Sequence, residues 1–338
     1  PPHLRWMTMQ PFALIRPTTL LAARDRVHEH PQTRLFRAGG VDLLDRMKEG
    51  LDAPAELVDL RSIADEKSLR GVSPGPAGGW QLGALVTLAE LAAAAELDAV
   101  LREAAGSAAT PGVRNLATLG GNLLQRPRCW YYRNADLVCL KKGGDACLAV
   151  TGENKYHAIL GGGPSFIVHP SSLAAALLAL DASVDTSGDT PRSIPLADLF
   201  VGPKQDPTRE HSLAPGELLL RVVLPPAPPG RRSAYAVAKE KQSHDWPLVE
   251  AAVSLSLATG VMTQVRVVLG HVAPTPWRSR EAEAVLENQP PSADLFRRAA
   301  AAALAPARPL RHNAYKLPLA QGLLREALHR AADLPLPE

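Results

Sequence analysis

Apolar and polar positions along this chain fall into short periodic runs divided by glycine and proline, and each run can be assigned an element. Val41, Leu43, Leu44 and Met47 recur at helical spacing between the Gly39-Gly40 pair and Gly50, and the run TRLFRA precedes them. That order predicts a strand, a glycine turn and a helix. VDLRSI predicts a further strand. WQLGALVTLAELAAAAELDAVLREAAGSAA predicts a strand and then alanine-rich helices, with Thr87 and Glu90 at capping-box spacing, so that each side chain can satisfy the other's free N–H. SFIVHPSSLAAALLALDASVDT predicts strand, helix and strand. GELLLRVVLPPAPPGRR predicts a strand running into a Pro/Gly/Arg linker, with a domain boundary near residue 230. Beyond it AYAVAKE, LVEAAVSLSLA and TQVRVVLGHVAP predict antiparallel strands. SREAEAVLEN, SADLFRRAAAAALA and LAQGLLREALHRAA predict helices, the last with an apolar face at 319, 323, 324, 327 and 328 and the first with its carboxylates on a solvated surface. No internal repeat and no low-complexity tail is present.

Between Arg126 and Gly163 the periodicity disappears, and polar and glycine residues dominate. Cys129, Cys139 and Cys147, the three cysteines of the chain, all lie here. A structureless loop of this length is expected to be functional or held by something, and a metal cluster is one such staple. An odd, clustered set of thiols favours a metal or redox site over a disulfide framework. Zinc on Cys129, Cys139, Cys147 and His157 is one reading, although the spacings are wider than those of the usual finger pairs. Three unliganded thiols are another.

Composition narrows the function. The 338 residues are 46% hydrophobic, enough for a sizeable core and two or three domains. Proline, at 31 residues, is about twice its average usage, so long helices should be few. The net charge of +3 comes with no basic run or aromatic-interleaved basic stripe, which argues against nucleic acid. No apolar stretch reaches the roughly 18 residues of a spanning helix, and the start is broken by Pro and Arg where a signal peptide would be apolar. The expected location is the cytoplasm, with export alongside a partner as the alternative, and residues 1–10 read as an extension. Ser212, Ser243, His244 and Asp245 do not make a hydrolase: the last three are sequence neighbours whose side chains diverge, and no G-x-S-x-G elbow exists. His169, before Pro170, reads as a strand-end residue.

Two glycine pairs, Gly39-Gly40 and Gly120-Gly121, could cradle a pyrophosphate. Glycine permits left-handed dihedrals and removes the Cβ that would hold an anion off, so successive N–H groups can converge on phosphate oxygens. At the first pair a helix follows directly and adds its positive end. Each pair by itself is an ordinary tight turn, and neither has G-x-G-x-x-G spacing.

Four segments, RAGGVDLLDRMKEG, VRNLATLGGNLLQ, VVLGHVAPTPWRSREAEAVL and HNAYKLPLAQGLLREAL, carry a resemblance that covers about Pro11 to Ala332. In order and separation the chain resembles the FAD-binding subunit of molybdenum hydroxylases, the xanthine dehydrogenase and aldehyde oxidoreductase type. The resemblance implies an α+β protein: a two-lobed, PCMH-like FAD-binding domain over 11–228, with the cysteine loop 126–163 inserted, followed by a smaller α+β C-terminal domain over 231–334. It implies FAD held by two glycine loops. Ala38, Gly39, Gly40, Val41, Asp42 and Leu43 would form the first, and Thr118, Gly120, Gly121 and Asn122 the second, with Arg114 and Asn115 just before it. The family usually has Thr where Val41 stands and commonly an acid where Ser172 stands. KEKQSHDWP matches the segment approaching the isoalloxazine ring, which nominates Lys239 and Trp246; by residue type alone these are equally an exposed lysine and a core aromatic.

RCWYY, VCLKKGGDACLAV and GPSFIV resemble the aldehyde oxidoreductase subset, whose extra loop binds a [4Fe-4S] cluster through four cysteines. Three align as Cys129, Cys139 and Cys147; Ser165 stands at the place of the fourth. Thiolates suit cluster iron because soft, charged sulfur matches it, and three leave one iron needing another donor. Ser165, His157 or hydroxide could complete the set, or a [3Fe-4S] form could result. The implied activity is electron relay, from a large molybdenum-cofactor subunit through the [2Fe-2S] centres of a small subunit to FAD here and then to an acceptor, within a heterotrimer or a dimer of heterotrimers. No catalytic nucleophile or base is expected. A xanthine dehydrogenase flavoprotein subunit is the nearest alternative; a self-sufficient flavin oxidase and a flavin-free scaffold are the others.

Overall fold

A computed structural model describes residues 9–336 apart from 76–77, 189, 243–244 and 258–259. Ser243, His244 and most of the N-terminal extension therefore lie outside the described residues. The chain begins with two strand-to-helix units. Strand β1 (Ala13–Ile15), helix α1 (Leu20–Glu29), strand β2 (Arg34–Arg37), helix α2 (Val41–Lys48) and strand β3 (Glu56–Asp59) build a parallel sheet in the order β1-β3-β2. Parallel neighbours need a crossover, and the helix after Gly39-Gly40 supplies one. Gly40 caps that helix at φ 79°, a left-handed conformation that favours glycine.

The second lobe is antiparallel. Strands β4 (Val72–Pro74) and β5 (Trp80–Gly83) lead into helices α3 (Leu88–Ala93) and α4 (Ala99–Ser107), and then into the short helices α5 (Pro111–Arg114), α6 (Leu119–Leu123) and α7 (Trp130–Arg133). Helix α8 (Ser172–Ala179), strands β6 (Ser183–Ser187) and β7 (Arg192–Pro195), helix α9 (Leu196–Leu199) and strand β8 (Leu218–Leu224) complete a sheet ordered β4-β5-β8-β6-β7. The expected capping box is formed, Thr87 accepting from the Glu90 N–H at 3.2 Å and Glu90 from the Thr87 N–H at 2.7 Å. Two expectations fail here. Gly120-Gly121 is not a tight turn but lies inside α6, and SFIV is not a strand. Pro164 and Pro170 bracket SFIV without donors, and the segment makes isolated bonds rather than a ladder: the Ser165 carbonyl accepts from the Gly163 N–H at 3.1 Å, the Phe166 carbonyl from the Ala158 N–H at 2.9 Å, and the His169 N–H donates to Ala273 at 2.9 Å.

After the linker, strands β9 (Arg231–Ala238), β10 (Val249–Ser256), β11 (Thr263–Gly270) and β12 (Trp277–Arg278) form an antiparallel sheet with β12 and β9 at its edges. Helices α10 (Arg280–Leu286), α11 (Ala293–Leu304) and α12 (Lys316–Ala332) follow. The last starts three residues before its apolar face, because Pro318 falls in the first turn, where its missing N–H costs nothing. Glu283 departs from the expected solvated face: it is buried and accepts from Arg278 Nε at 2.7 Å and from the Val267 N–H at 3.1 Å.

The N-terminal helices α4 and α8 also pack under the C-terminal sheet. Tyr235, Ala252 and Val268 share a core with Leu101 and Leu177 of α4 and α8, whereas Ala251, Val253 and Leu255 share the opposite core with Ala327 and Leu328 of α12. Every residue of β10 is consequently buried. Among the described residues no helix is long and apolar enough to cross a membrane.

Candidate functional site

The two glycine bends meet. A Cβ placed on Gly39 would lie 1.9 Å from the Leu116 carbonyl oxygen, so only glycine lets the first bend pack on the backbone leading into α6. A Cβ on Gly120 would likewise press within 3.1 Å of Ala84 Cβ. Both bends line one cavity of about 850 Å³, a volume in the range of cofactor sites. Ala38, Gly39, Gly40, Val41, Asp42 and Leu43 line it from one side, and Thr118, Gly120, Gly121 and Asn122 from the other.

The bends offer different chemistry. Within α2 the first helical bond is from the Leu44 N–H to Gly40, which leaves the N–H groups of Val41, Asp42 and Leu43 without intrahelical partners at the positive end of the helix. Backbone donors are thus available even where a threonine hydroxyl is missing at Val41. At the second bend they are spent. Leu119 donates to Val86, Gly120 to Ala84, Asn122 to Thr118, and Gly121 to the Thr118 hydroxyl at 3.2 Å. What remains there is side-chain chemistry: the Thr118 hydroxyl and the NH2 end of Asn122, whose Oδ1 is fixed by Ser171 Oγ at 2.6 Å.

The carboxylate of Asp42 faces protein. Burial pushes it up, but Arg46, Arg128 and Arg133 outweigh that and hold it below the usual carboxylate range. Arg133 Nη2 lies 2.6 Å and Arg128 Nη2 3.0 Å from Oδ1, Arg46 pairs with Oδ2, and the Arg126 N–H donates to Oδ2 at 3.1 Å. Asp42 thereby ties α2 to the start of the cysteine loop. Arg114 and Asn115, expected at the second bend, do not line the cavity. Arg114 instead donates to the carbonyls of Ala108 at 2.9 Å and Ala109 at 3.0 Å, shaping two residues that do. Sequence reasoning missed Ala108, Ala109, Pro215 and Arg133 as wall residues, since nothing in their local pattern marks them.

Lys239 and Trp246 both reach the cavity. Lys239 is half-buried and bonds the Ser107 carbonyl; Trp246 is 46% exposed, with the Arg128 guanidinium 4.5 Å above its ring. Neither is the bland alternative of a free lysine or a core aromatic. Arg128, Trp130 and Trp246 also line an adjoining cavity of about 180 Å³, which ends on Cys129 and His157.

The cysteine loop is held by polar staples. Buried Asn313 donates to the carbonyls of His157 and Ala158, Asn154 accepts from the His312 N–H at 2.8 Å, and buried Lys316 donates to the Tyr156 carbonyl at 3.0 Å. On the other side, Lys141 pairs with Glu210 at 2.7 Å. The HNAYK motif is therefore a clamp on this loop. All three cysteines are free thiols. Cys129 Sγ lies 3.2 Å from His157 Nε2; burial pushes its thiol up to about 11, with the proximity of Cys147 and Cys139 adding to the rise. Burial, with Lys316 nearby, pushes His157 down to about 4, and its Nδ1 has no partner. Ser165 is buried. Among the described residues no group of three or more His, Cys, Asp or Glu is gathered closely enough to hold a metal ion. Ser212 donates to the Asp198 carbonyl at 3.3 Å, and His169 is buried with its Nδ1 accepting from the Ser171 N–H at 3.3 Å, so neither joins the site.

Comparison with known proteins gives two family matches in chain order: the FAD-binding domain in molybdopterin dehydrogenase over residues 10–227, and the CO dehydrogenase flavoprotein C-terminal domain over 233–331. The chain is 38% identical over 307 residues to the aldehyde oxidoreductase FAD-binding subunit PaoB of Escherichia coli K12, covering 88% of this chain and 91% of that one. It is 25% identical over 280 residues to the xanthine dehydrogenase FAD-binding subunit of Escherichia coli O157:H7, covering 81% and 79%. Among solved structures, a chain of reconstituted CO dehydrogenase from Oligotropha carboxidovorans superposes with a TM-score of 0.75 at 25% identity, covering 97% of this chain and all of that one.

Proposed function

We propose, because the chain belongs to the FAD-binding flavoprotein subunits of the molybdenum hydroxylases, that it relays electrons through FAD within an aldehyde oxidoreductase. The observation that carries the reading is the backbone contact of Gly39 with Leu116, which brings two bends of different donor type onto one cavity. The residues fit the cofactor. Val41, Asp42 and Leu43 would hold the diphosphate by their N–H groups, and Thr118 and Asn122 by their side chains. Lys239 and Trp246 would border the ring, and the Asp42 arginine cluster would keep α2 rigid while the diphosphate is bound. FAD supplies the step between two-electron and one-electron carriers; the protein fixes its position and tunes its potential.

The aldehyde assignment rests on the 38% identity to an aldehyde oxidoreductase subunit. The partners in this reading are a large molybdenum-cofactor subunit and a small [2Fe-2S] subunit in a heterotrimer, with the complex in the cytoplasm or exported on a partner's signal. An iron–sulfur cluster belongs to the same proposal. Cys129, Cys139 and Cys147 would give thiolates, and His157 or Ser165 the fourth donor; the contact of Cys129 Sγ with His157 Nε2 at 3.2 Å and the orphaned Nδ1 of that imidazole support it. Because the folded loop does not by itself gather three ligands, cluster insertion would draw Cys139 and Cys147 toward Cys129.

Purified with its partners, the protein should contain one flavin, give an iron count per flavin of a four-iron or three-iron cluster beyond the small subunit's, and reduce an aldehyde-coupled dye. The chain alone should bind flavin and oxidise no aldehyde. Full-rate aldehyde oxidation by the isolated chain would overturn the relay, and zinc in place of iron would overturn the cluster.

A further inference from the structure

Glu250 lies in the middle strand region of the C-terminal sheet, wholly inaccessible to solvent, on the face of β10 that meets α8. Among the described residues no arginine or lysine contacts it. Its Oε1 accepts from Tyr235 OH at 2.5 Å and from Ser172 Oγ, while His271 Nε2 stands 3.5 Å away. Among the described residues its Oε2 has no hydrogen-bond partner, and it is pressed against the Gly270 backbone, where an added Cβ would come within 2.3 Å. A charge so placed is costly unless paired, and burial accordingly pushes this carboxyl up to about 7.

The position has a functional side. Ser172 opens α8 and lines the large cavity, and its hydroxyl donates to the carboxyl, so it joins the two. Lys239, at the cavity wall, is the cation that acts on Glu250 from a distance. His271 lines the smaller cavity. The carboxyl thus lies against one lining residue of each cavity, Ser172 of the larger and His271 of the smaller, and its charge acts on whatever they hold through a poorly screening interior.

We propose that Glu250 is a positioning residue for electron relay: it takes up one proton as electrons enter the cofactor in the cavity and returns it as they leave. The inference rests on the reading that the cavity holds FAD. Electrons come from a reduced iron–sulfur partner and leave to the external acceptor. On entry, the Ser172 hydroxyl passes its proton to Glu250 Oε1 and regains one from cavity water; the net change is one O–H bond formed on the carboxyl and one proton lost from solvent. On exit the bond breaks and the proton returns by the same route. No other bond in the protein changes.

The surrounding groups leave this role to Glu250. Tyr235 of β9 is pushed well above its ordinary value and His271, after β11, well below, so both stay neutral. From α4, Glu103 accepts from the Tyr235 N–H and pairs with Arg330 of α12 at 2.7 Å, and the Ser107 carbonyl holds Lys239. Lys316 of α12, pushed by burial to about 7, also changes charge near neutrality, but it bonds the His271 carbonyl at 2.7 Å rather than the carboxyl.

The test uses the full chain with FAD bound, reduced with dithionite across about pH 5 to 9. In infrared difference spectra the wild type should gain a protonated-carboxyl band on reduction, which Lys316 cannot produce, and Glu250→Gln should lack it. The flavin potential plotted against pH should break near neutrality in the wild type and run without that break in Glu250→Gln. Tyr235→Phe and Ser172→Ala each remove a donor to Oε1 and should move the break to higher pH; they decide the matter should Glu250→Gln fail to fold. A wild type without the band, or a break unmoved in all variants, overturns the proposal. A folded wild type that binds no flavin overturns the cofactor reading instead.

Discussion

At the residue scale, glycine and carboxylate positions carry the sharpest consequences. Gly39 faces a backbone oxygen that cannot retreat without moving Leu116 and the start of α6. Gly39→Ala should therefore lose bound flavin in purified protein, read as the ratio of flavin to protein absorbance, and melt earlier; retention of full flavin would contradict the close approach. Asp42 is the shared partner of Arg46, Arg128 and Arg133, and removing one partner from a largely buried ion cluster costs about 3–5 kcal/mol. Asp42→Asn should lower stability by that order in denaturant titration. Glu250 gives stability a defined pH dependence. Its folded value of about 7 lies above the ordinary 4.5, so the fold favours the neutral form. Its contribution is complete below about pH 4.5 and is lost as pH rises through about 7, a loss on the order of 3 kcal/mol. Glu250→Gln should flatten that part of the Tm–pH curve of the flavin-free protein; an unchanged slope would place the titration elsewhere.

At the element scale, local signals succeeded where the chemistry was local. The Thr87–Glu90 box caps α3 as its spacing requires, and Thr87→Ala should cost about 1 kcal/mol in chemical denaturation. The strand, glycine turn and helix at 34–48 were legible because Gly40 adopts a conformation that side chains rarely do. SFIV failed because a β-branched, aromatic run states what could pair, not whether a partner strand is present. Gly120-Gly121 failed as a tight turn because Thr118 caps a short helix there, and because Val86 and Ala84, distant in sequence, accept the N–H groups of Leu119 and Gly120. The HNAYK segment carried a resemblance but no visible role, since Asn313 and Lys316 act on carbonyls some 155 residues away in the chain.

For the whole molecule, the decisive feature is that α4 and α8 pack under the C-terminal sheet while α12 packs over it. The linker near 230 thus separates sequence families without separating cores. Tyr235, Ala252 and Val268 would face water in an isolated C-terminal segment, so residues 231–336 expressed alone should aggregate, and the intact chain should unfold in a single calorimetric transition. Two well-separated transitions would show that the shared core is weaker than its burial suggests.

The sequence by itself determined the strand, glycine turn and helix at 34–48, the strands and helices beyond the linker, the family with its FAD, and the glycines of the two bends, because backbone permissiveness and side-chain type are properties of single residues. Only the tertiary structure decided that one bend offers backbone donors while the other has spent them. It alone turned Asp42 toward arginines, set Arg114 to shape a wall rather than line it, and left Glu250 as an unpaired acid behind the cavity. Those outcomes depend on which distant groups arrive within hydrogen-bonding reach and how much water they exclude, and neither quantity is written in the spacing of residues along a chain.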